Sequence, residues 1–256
     1  IRAIAGAGRP IVAPTPTSTL VDTLAELHRT PLITMPFCED GGLPIDGLVL
    51  SRGAMVYVVN PNAPTGTRVD VDAMGELADR IEGVLVVDEA YVDFADGDCL
   101  SLAKSRPNVL VVRTLSKGYS LAGLRFGYAV GDPALIAGLI KAKDSYNVDA
   151  LSVAAATAAI RDQAYFKANV ARIRVQRSRV TAALRAMDFV VGDSQTNFLL
   201  ATCPPPGAPA IYEGLKARGI LVRFFNRPGL DDKVRISIGS EPENDRLLVE
   251  IKALVG

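Results

Sequence analysis

The chain has 256 residues, 49% of them hydrophobic, and its 28 basic residues balance 28 acidic ones. This composition is typical of a globular protein, and the zero net charge gives no electrostatic argument for binding nucleic acid or an anionic membrane. The three cysteines are far apart and in no metal-ligand spacing, so we predict neither a disulfide framework nor a metal site. No apolar run approaches the roughly 20 residues of a membrane span and no signal peptide opens the chain, so we expect a cytoplasmic protein.

Residues 1–150 alternate short apolar runs with helical patterns, which is typical of a mostly parallel sheet with crossover helices. We therefore predict a large α/β domain over residues 1–150. Its predicted strands are Ile11–Ala13, Leu32–Met35, Met55–Val59, Val84–Asp88, Val109–Val112 and Phe126–Val130, its helices are Thr19–Leu27, Val71–Ile81 and Pro133–Lys143, and a loop spans Gly41–Gly47.

Residues 151–256 have a different pattern, which predicts a small α+β domain. An alanine-rich helix and a long helical pattern come first, and short strands and further helices follow. The predicted strands are Phe189–Val191, Asn197–Ala201, Ile220–Arg223 and Val234–Ile238, and the predicted helices are Val153–Ile160, Ala164–Met187, Ala208–Arg218 and Pro242–Leu254.

Two hydroxyls, a lysine and an arginine follow the predicted strand Val109–Val112. They are Thr114, Ser116, Lys117 and Arg125. Ligands of open α/β sheets bind beyond the carboxyl ends of the strands, which is where this cluster falls. Hydroxyls and a guanidinium suit a phosphate, and a partly desolvated lysine can attack a carbonyl. A phosphate joined to an aldehyde describes pyridoxal 5′-phosphate (PLP).

The stretch Thr-Leu-Ser-Lys-Gly-Tyr-Ser-Leu-Ala-Gly-Leu-Arg-Phe-Gly, residues 114–127, resembles the Schiff-base lysine segment of fold-type I PLP enzymes. This resemblance implies that Lys117 is the catalytic residue that carries the cofactor. It also implies that Thr114, Ser116 and Arg125 hold the cofactor phosphate. The only histidine, His28, lies in a helical pattern, so Lys117 is also the expected proton shuttle.

The apolar strand Val84–Asp88 ends in a carboxylate, which is costly to bury unless it is paired. Taken alone, Asp88 could cap a helix and Tyr91 could belong to the core. The stretch Asp-Glu-Ala-Tyr, residues 88–91, also resembles the family motif in which the aspartate binds the pyridine nitrogen of the cofactor. The resemblance implies that role for Asp88, and a contact with the phenolic oxygen of the cofactor for Tyr91.

A turn with two prolines and a glycine, residues 60–66, follows the strand Met55–Val59. Ordinary turn chemistry explains this composition, and the turn also resembles the Asn-Pro-Thr-Gly turn of fold-type I aminotransferases. The family asparagine that bonds the cofactor falls at Ala63 here, and Asn62 lies one residue earlier. We keep Asn62 as a cofactor-binding candidate, although its side chain is expected to point elsewhere.

Arg235 lies on an otherwise apolar strand and therefore needs an anion. An ion pair with Asp231 or Asp232 is one explanation. The stretch Val-Arg-Ile-Ser-Ile-Gly, residues 234–239, also resembles the family motif whose arginine clamps the α-carboxylate of the substrate, which implies a substrate-binding role for Arg235. Arg223 and Asn197 are further candidates for the same pocket.

Across its whole length the chain resembles the histidinol-phosphate aminotransferase branch of the fold-type I enzymes. The resemblance implies a PLP-dependent aminotransferase with an amino donor, a 2-oxo acid acceptor and a homodimeric assembly. Decarboxylation of a phosphorylated amino acid is the alternative reaction, and a non-catalytic PLP-fold binding protein is the alternative role.

Several parts of the family pattern are not found in the sequence. They are the N-terminal arm, the Gly-Ser-Asp/Glu-type loop whose amides hold the phosphate, and the ring-stacking tyrosine, which is Ser18 here. The chain also opens at Ile1, in what the pattern indicates is the end of a helix. We therefore expect residue 1 to be an internal point of a longer gene product.

Overall fold

The computed structural model describes residues 1–256 and contains two β-sheets. The first sheet has six strands in the order β2-β1-β3-β4-β5-β6. Five of these strands are parallel, and β6 is antiparallel to β5. The bounds are β1 Ile11–Thr15, β2 Leu32–Pro36, β3 Met55–Val59, β4 Val84–Asp88, β5 Val109–Thr114 and β6 Gly127–Gly131.

Helices cover both faces of this sheet, which explains why its central strands are continuous apolar runs. Because side chains alternate across a strand, Leu85 and Val87 belong to one core cluster and Val86 belongs to another on the opposite face. The helices of this part are α1 Thr19–Leu27, α2 Ile45–Leu50, α3 Val71–Arg80, α4 Leu100–Ser105 and α5 Pro133–Ala142.

The second sheet has four antiparallel strands in the order β7-β8-β10-β9. Its apolar face packs against α7, α8 and α9, with Leu184, Ile211 and Ile251 fully buried. The elements of this part are α6 Ala150–Arg161, α7 Gln163–Arg185, β7 Val190–Val191, β8 Phe198–Thr202, α8 Ala208–Ala217, β9 Arg223–Phe224, β10 Lys233–Ser237 and α9 Glu241–Val255.

The structure differs from the sequence-based expectation in three elements. The predicted strand Ile220–Arg223 is wrong, because β9 contains only Arg223 and Phe224. The predicted loop at Gly41–Gly47 runs into α2, and α4 was not predicted. The boundary between domains at residue 150 stays a prediction.

No helix combines the length and the apolar character that crossing a bilayer requires.

The sheet brings the loops after β3, β4 and β5 to one edge. In the register of these strands, Val59 lies beside Asp88 and Asp88 lies beside Val112. Since all three strands are parallel, their carboxyl ends meet there. This edge therefore gathers the polar residues that follow the apolar runs.

Candidate active site

Asp88 ends β4 and is largely buried. Its Oδ1 accepts a hydrogen bond from the Ala90 amide (3.0 Å), and its Oδ2 accepts one from the Tyr57 hydroxyl. Burial raises the pKa of the Asp88 carboxyl, and these two hydrogen bonds oppose the rise. Each carboxylate oxygen retains a lone pair, so Asp88 can still accept a hydrogen bond from a ligand.

Lys117 lies near Tyr91, with its Nζ atom 5.5 Å from the centre of the tyrosine ring. The amine makes no ion pair and no hydrogen bond within the chain. Burial lowers the pKa of Lys117, and the positive charges of Arg235 and Arg125 lower it further. A larger fraction of the amine is therefore unprotonated and nucleophilic than for an ordinary lysine.

Thr114 and Ser116 form one hydrogen-bonded unit at the end of β5. The Thr114 hydroxyl donates to Ser116 Oγ at 2.8 Å and accepts from the Ser116 amide at 3.1 Å. Arg125 follows in the left-handed conformation, with φ of 52°. One of its nitrogens donates to the Ala122 carbonyl at 2.9 Å, and its remaining donors are free. These donors and the Ser116 hydroxyl proton suit a phosphate.

Asn62 is buried in the turn after β3, and its amide is engaged by the chain itself. Its Nδ2 donates to the Pro16 carbonyl and to Thr65 Oγ1, each at 2.9 Å, and its Oδ1 accepts from the Thr17 hydroxyl at 3.3 Å. These bonds join the loops after β1 and β3. The contact of Asn62 with a cofactor stays a prediction. The neighbouring Ala63 is buried and offers no polar side chain.

Arg235 and Arg223 face each other across β10 and β9, where the register pairs them directly. The Cζ atom of Arg235 lies 5.0 Å from the ring centre of Phe198 and 5.7 Å from that of Phe225. Arg223 Cζ lies 5.5 Å from the same Phe225 ring. Neither guanidinium makes an ion pair. The alternative explanation, in which Arg235 pairs with Asp231 or Asp232, is therefore wrong.

Asn197 directly precedes β8, and its carbonyl accepts a hydrogen bond from the Ile238 amide at 2.9 Å. Its half-buried side chain makes no hydrogen bond within the chain. No hydrogen bond joins Asn197 to Arg235 or to Arg223. Its substrate-binding role stays a prediction.

The sequence analysis missed Tyr57 and Asp93. Tyr57 lies in an apolar strand, where it could not be told from a core residue, and only the pairing of β3 with β4 brings it to Asp88. Asp93 accepts a hydrogen bond from the Gly118 amide, next to Lys117. A Cβ atom at Gly118 would lie 2.3 Å from the Asp93 carboxylate, so only glycine fits there.

The residues at this edge fit PLP by the chemistry of their donors and acceptors. Lys117 offers a free amine for an aldehyde, Asp88 offers a buried carboxylate for a protonated ring nitrogen, and Ser116 and Arg125 offer donors for a phosphate. Ala63 is the departure, since it supplies no donor for the phenolic oxygen.

Comparison with known proteins agrees with this fold. The family model of aminotransferase class I and II matches residues 1–251. The chain is 46% identical over 255 residues to histidinol-phosphate aminotransferase 1 of Nostoc sp. (strain PCC 7120), a match that covers 100% of this chain and 72% of that protein. It is 43% identical over 255 residues to the histidinol-phosphate aminotransferase of Geobacter sulfurreducens, covering 99% of this chain and 72% of the relative.

A solved structure resembles the chain over nearly its whole length. The crystal structure of histidinol-phosphate aminotransferase from Sinorhizobium meliloti in complex with pyridoxal-5′-phosphate has a TM-score of 0.90 and 29% identity, and the match covers 99% of this chain and 73% of that one. The fold and the site thus define a fold-type I enzyme. The chain belongs to the aminotransferase class I and II family, which confirms the predicted fold class and the predicted transaminase activity.

Proposed function

We propose that this aminotransferase binds PLP at the edge formed by β3, β4 and β5 and acts on a phosphate-bearing amine related to histidinol phosphate. The observation that carries this proposal is the free, half-buried Lys117 amine, which lies near the Tyr91 ring and is influenced by the charges of Arg125 and Arg235. When bound, PLP supplies an aldehyde that takes up amino groups and a ring that withdraws electrons from the breaking bond.

Five residues would hold or orient the cofactor besides Lys117. Asp88 would accept a hydrogen bond from its ring nitrogen and keep that nitrogen protonated. Thr114 orients Ser116 through a hydrogen bond, and Ser116 and the free donors of Arg125 would bind the phosphate. Tyr91 approaches the same space from the loop after β4. Burial raises the pKa of Tyr91, the Arg235 charge opposes this rise, and the Asp88 charge adds to it. Its hydroxyl therefore stays protonated and can donate at neutral pH.

Lys117 Nζ would bind the cofactor covalently and, once displaced by the substrate amine, would remove the proton from the substrate carbon that bears the amine. The lowered pKa of Lys117 supports this role, because the base must be unprotonated when it acts. No other titratable side chain is needed for this step, since the only histidine, His28, lies at the end of α1.

Arg235 and Arg223 would bind the anionic group of each substrate. The two relatives named above are histidinol-phosphate aminotransferases, and histidinol phosphate carries a phosphate and no carboxylate. Two guanidiniums without acidic partners suit such a doubly charged group. In the second half of the reaction the carboxylate of the 2-oxo acid would take the same place, which retains the predicted carboxylate role of Arg235.

The test is an amino-transfer assay with histidinol phosphate and 2-oxoglutarate, comparing the wild-type protein with Lys117→Ala and Lys117→Arg. We expect turnover in the wild type and none above background in either variant. Full activity in Lys117→Ala would overturn the proposal. Carbon dioxide release from a phosphorylated amino acid without any need for a 2-oxo acid would instead establish the decarboxylase alternative. Absence of both reactions, with PLP bound, would favour the non-catalytic alternative.

We also infer that two copies of the chain associate. Leu151 and Val153 are respectively 81% and 45% exposed on the apolar, alanine-rich helix α6. Exposed apolar side chains on one helix are typical of a protein contact. Sedimentation equilibrium should therefore give the mass of a homodimer, and Leu151→Lys should shift the equilibrium toward the monomer.

A further inference from the structure

Two like charges lie side by side at the proposed substrate site. Arg223 and Arg235 are directly paired across β9 and β10, and neither donates a hydrogen bond to the chain or pairs with an acid. Like charges directly opposite each other in an antiparallel pair destabilise a sheet. Some other group must therefore hold the two guanidiniums together in the absence of substrate.

Aromatic rings occupy the place that acidic side chains would otherwise take. Arg235 Cζ is 5.0 Å from the ring centre of Phe198 and 5.7 Å from that of Phe225, and Arg223 Cζ is 5.5 Å from the Phe225 centre. A ring attracts a cation through its face, and a guanidinium also stacks on such faces. A carboxylate partner would use up the N–H donors, whereas a ring leaves them free for a ligand.

Phe225 is the ring that both arginines share. It follows β9 directly in the chain and is only 8% exposed, although both charged neighbours are more accessible. Its burial fixes the position of the ring, and the ring in turn limits where the two guanidiniums can lie. The other ring, Phe198, is buried, and of the two arginines only Arg235 lies over it.

The same aromatic chain leads to the reacting lysine. Phe198 packs edge-to-face on Tyr91, with ring centres 5.0 Å apart and an interplanar angle of 87°. Lys117 Nζ lies 5.5 Å from the centre of the Tyr91 ring. The contacts therefore run without interruption from Lys117 through Tyr91 and Phe198 to Arg235. A rigid connection of this kind sets how far the anion site lies from the amine.

We propose that Phe225, together with Phe198, is a positioning residue that holds Arg223 and Arg235 as a pair with their donors free, and so sets the affinity of this pair for the phosphate group of the substrate. The inference rests on the proposed function for the identity of the substrate. Packing in the core is the other explanation for a buried phenylalanine, and the two explanations differ in what a substitution does to anion affinity.

The test compares Phe225→Leu with Phe225→Tyr and with a matched control, Phe224→Leu. Leucine retains the apolar burial and removes the ring face, whereas tyrosine retains the face. Phe224 is adjacent in the chain, but its ring pairs with Tyr212, at 5.9 Å between ring centres, and no arginine lies over it. A purely structural role would make the two leucine variants similar in anion affinity.

The first readout is the dissociation constant of inorganic phosphate for the PLP-loaded enzyme, measured by calorimetry. In that form the cofactor fills its own phosphate site, and the measurement does not depend on turnover. We expect Phe225→Leu to bind phosphate about fivefold more weakly, which corresponds to one cation–π contact, and Phe225→Tyr and Phe224→Leu to retain the wild-type affinity. Equal affinity in Phe225→Leu and wild type would overturn the proposal.

The second readout is a double-mutant cycle with Arg223→Met. If Phe225 acts through Arg223, the loss caused by Phe225→Leu must be smaller in the Arg223→Met background than in the wild type. Additive effects would assign Phe225 to packing alone. In the amino-transfer assay, Phe225→Leu should raise KM for the phosphate donor more than it lowers kcat. Wild-type protein that binds phosphate as expected but does not transfer amino groups from that donor would refute the proposed function and leave the role of Phe225 in anion binding intact.

Discussion

The hydroxyl of Tyr57 donates a hydrogen bond to the carboxylate of Asp88. The two residues belong to neighbouring parallel strands, where Tyr57 pairs with Val86, two residues before Asp88. Side chains two residues apart on a strand share a face, so Tyr57 and Asp88 lie on the same side of the sheet. Burial alone would favour the neutral form of Asp88, and the phenol opposes that effect.

Replacing Tyr57 with phenylalanine should therefore weaken cofactor binding. The variant removes one hydrogen bond to a charged acceptor, which contributes about 1.5–3 kcal/mol, so the dissociation constant for PLP should rise roughly tenfold or more. The effect should grow as the pH falls, because the pKa of Asp88 rises further without its phenol partner. Spectrophotometric titration with PLP from pH 6 to pH 8 measures this dissociation constant and its dependence on pH. Tyr128→Phe, on the exposed strand β6, is the control, and a matching affinity in the two variants would contradict the assigned role of Tyr57.

Asp93 should make the stability of the protein depend on pH. Burial raises the pKa of Asp93 to about 6, opposed by Arg113 and the Gly118 amide. The folded protein therefore binds this proton more tightly than the unfolded chain does, and the contribution of Asp93 to stability falls as the pH rises from about 4 to about 6. Over this pH range the contribution of Asp93 to the free energy of unfolding falls by at most about 3 kcal/mol.

Asp93→Asn removes the charge and keeps an acceptor for the Gly118 amide. We expect the variant to be more stable than the wild type at pH 8 and equal to it near pH 3.5, as measured by urea unfolding of the cofactor-free protein. A variant that is less stable than wild type at pH 8 would show that the carboxylate charge stabilises the loop that carries Lys117.

Arg177 is a buried cation that joins three parts of the chain. It lies on α7, and its Nη1 donates to the Thr196 carbonyl at 2.8 Å and to the Phe94 carbonyl at 3.2 Å. Arg177→Met retains much of the apolar volume but leaves both buried carbonyls without a donor. We expect a loss of about 2–4 kcal/mol in the free energy of unfolding. The exposed Arg172→Met is the control, and a loss below about 0.5 kcal/mol in Arg177→Met would refute this account of the contact.

The variant Arg235→Lys should show whether substrate binding needs the paired donors of a guanidinium or only a positive charge. Lysine keeps the positive charge but cannot offer two parallel donors to one anion or stack on the Phe198 ring in the same way. We expect KM for the amino donor to rise about 10- to 100-fold, which corresponds to a loss of about 1.4–2.8 kcal/mol of binding free energy. Steady-state kinetics at constant ionic strength measures the effect. A KM near the wild-type value would mean that charge alone is sufficient.

The sequence predicted the central sheet well because its strands are continuous apolar runs. The bounds of β3, β4 and α1 agree with the predicted Met55–Val59, Val84–Asp88 and Thr19–Leu27. The short helix α2 was missed, since the glycines and the proline near its start favour a loop. The predicted strand Ile220–Arg223 failed because Ile220 and Val222 pack against the core from outside the ladder.

The candidate site was predictable only where a residue interrupts an apolar pattern. Asp88 ends an apolar strand, Arg235 lies within one, and Lys117 follows one by a few residues, so the sequence singles these charged residues out. Tyr57 and Phe225 do not interrupt any pattern. Their contacts with Asp88 and the arginines arise from the pairing of strands that are distant in the chain, which periodicity does not encode.

The measurement that tests the central claim most directly is reduction with borohydride followed by mass spectrometry. The protein is incubated with PLP, reduced, digested and mapped. We expect a stable pyridoxyl-phosphate adduct on the peptide that contains Lys117, and none on that peptide in Lys117→Arg. An unmodified Lys117 peptide, or an adduct distributed over exposed lysines such as Lys141 and Lys252, would contradict the assignment of this edge of the sheet as a PLP site.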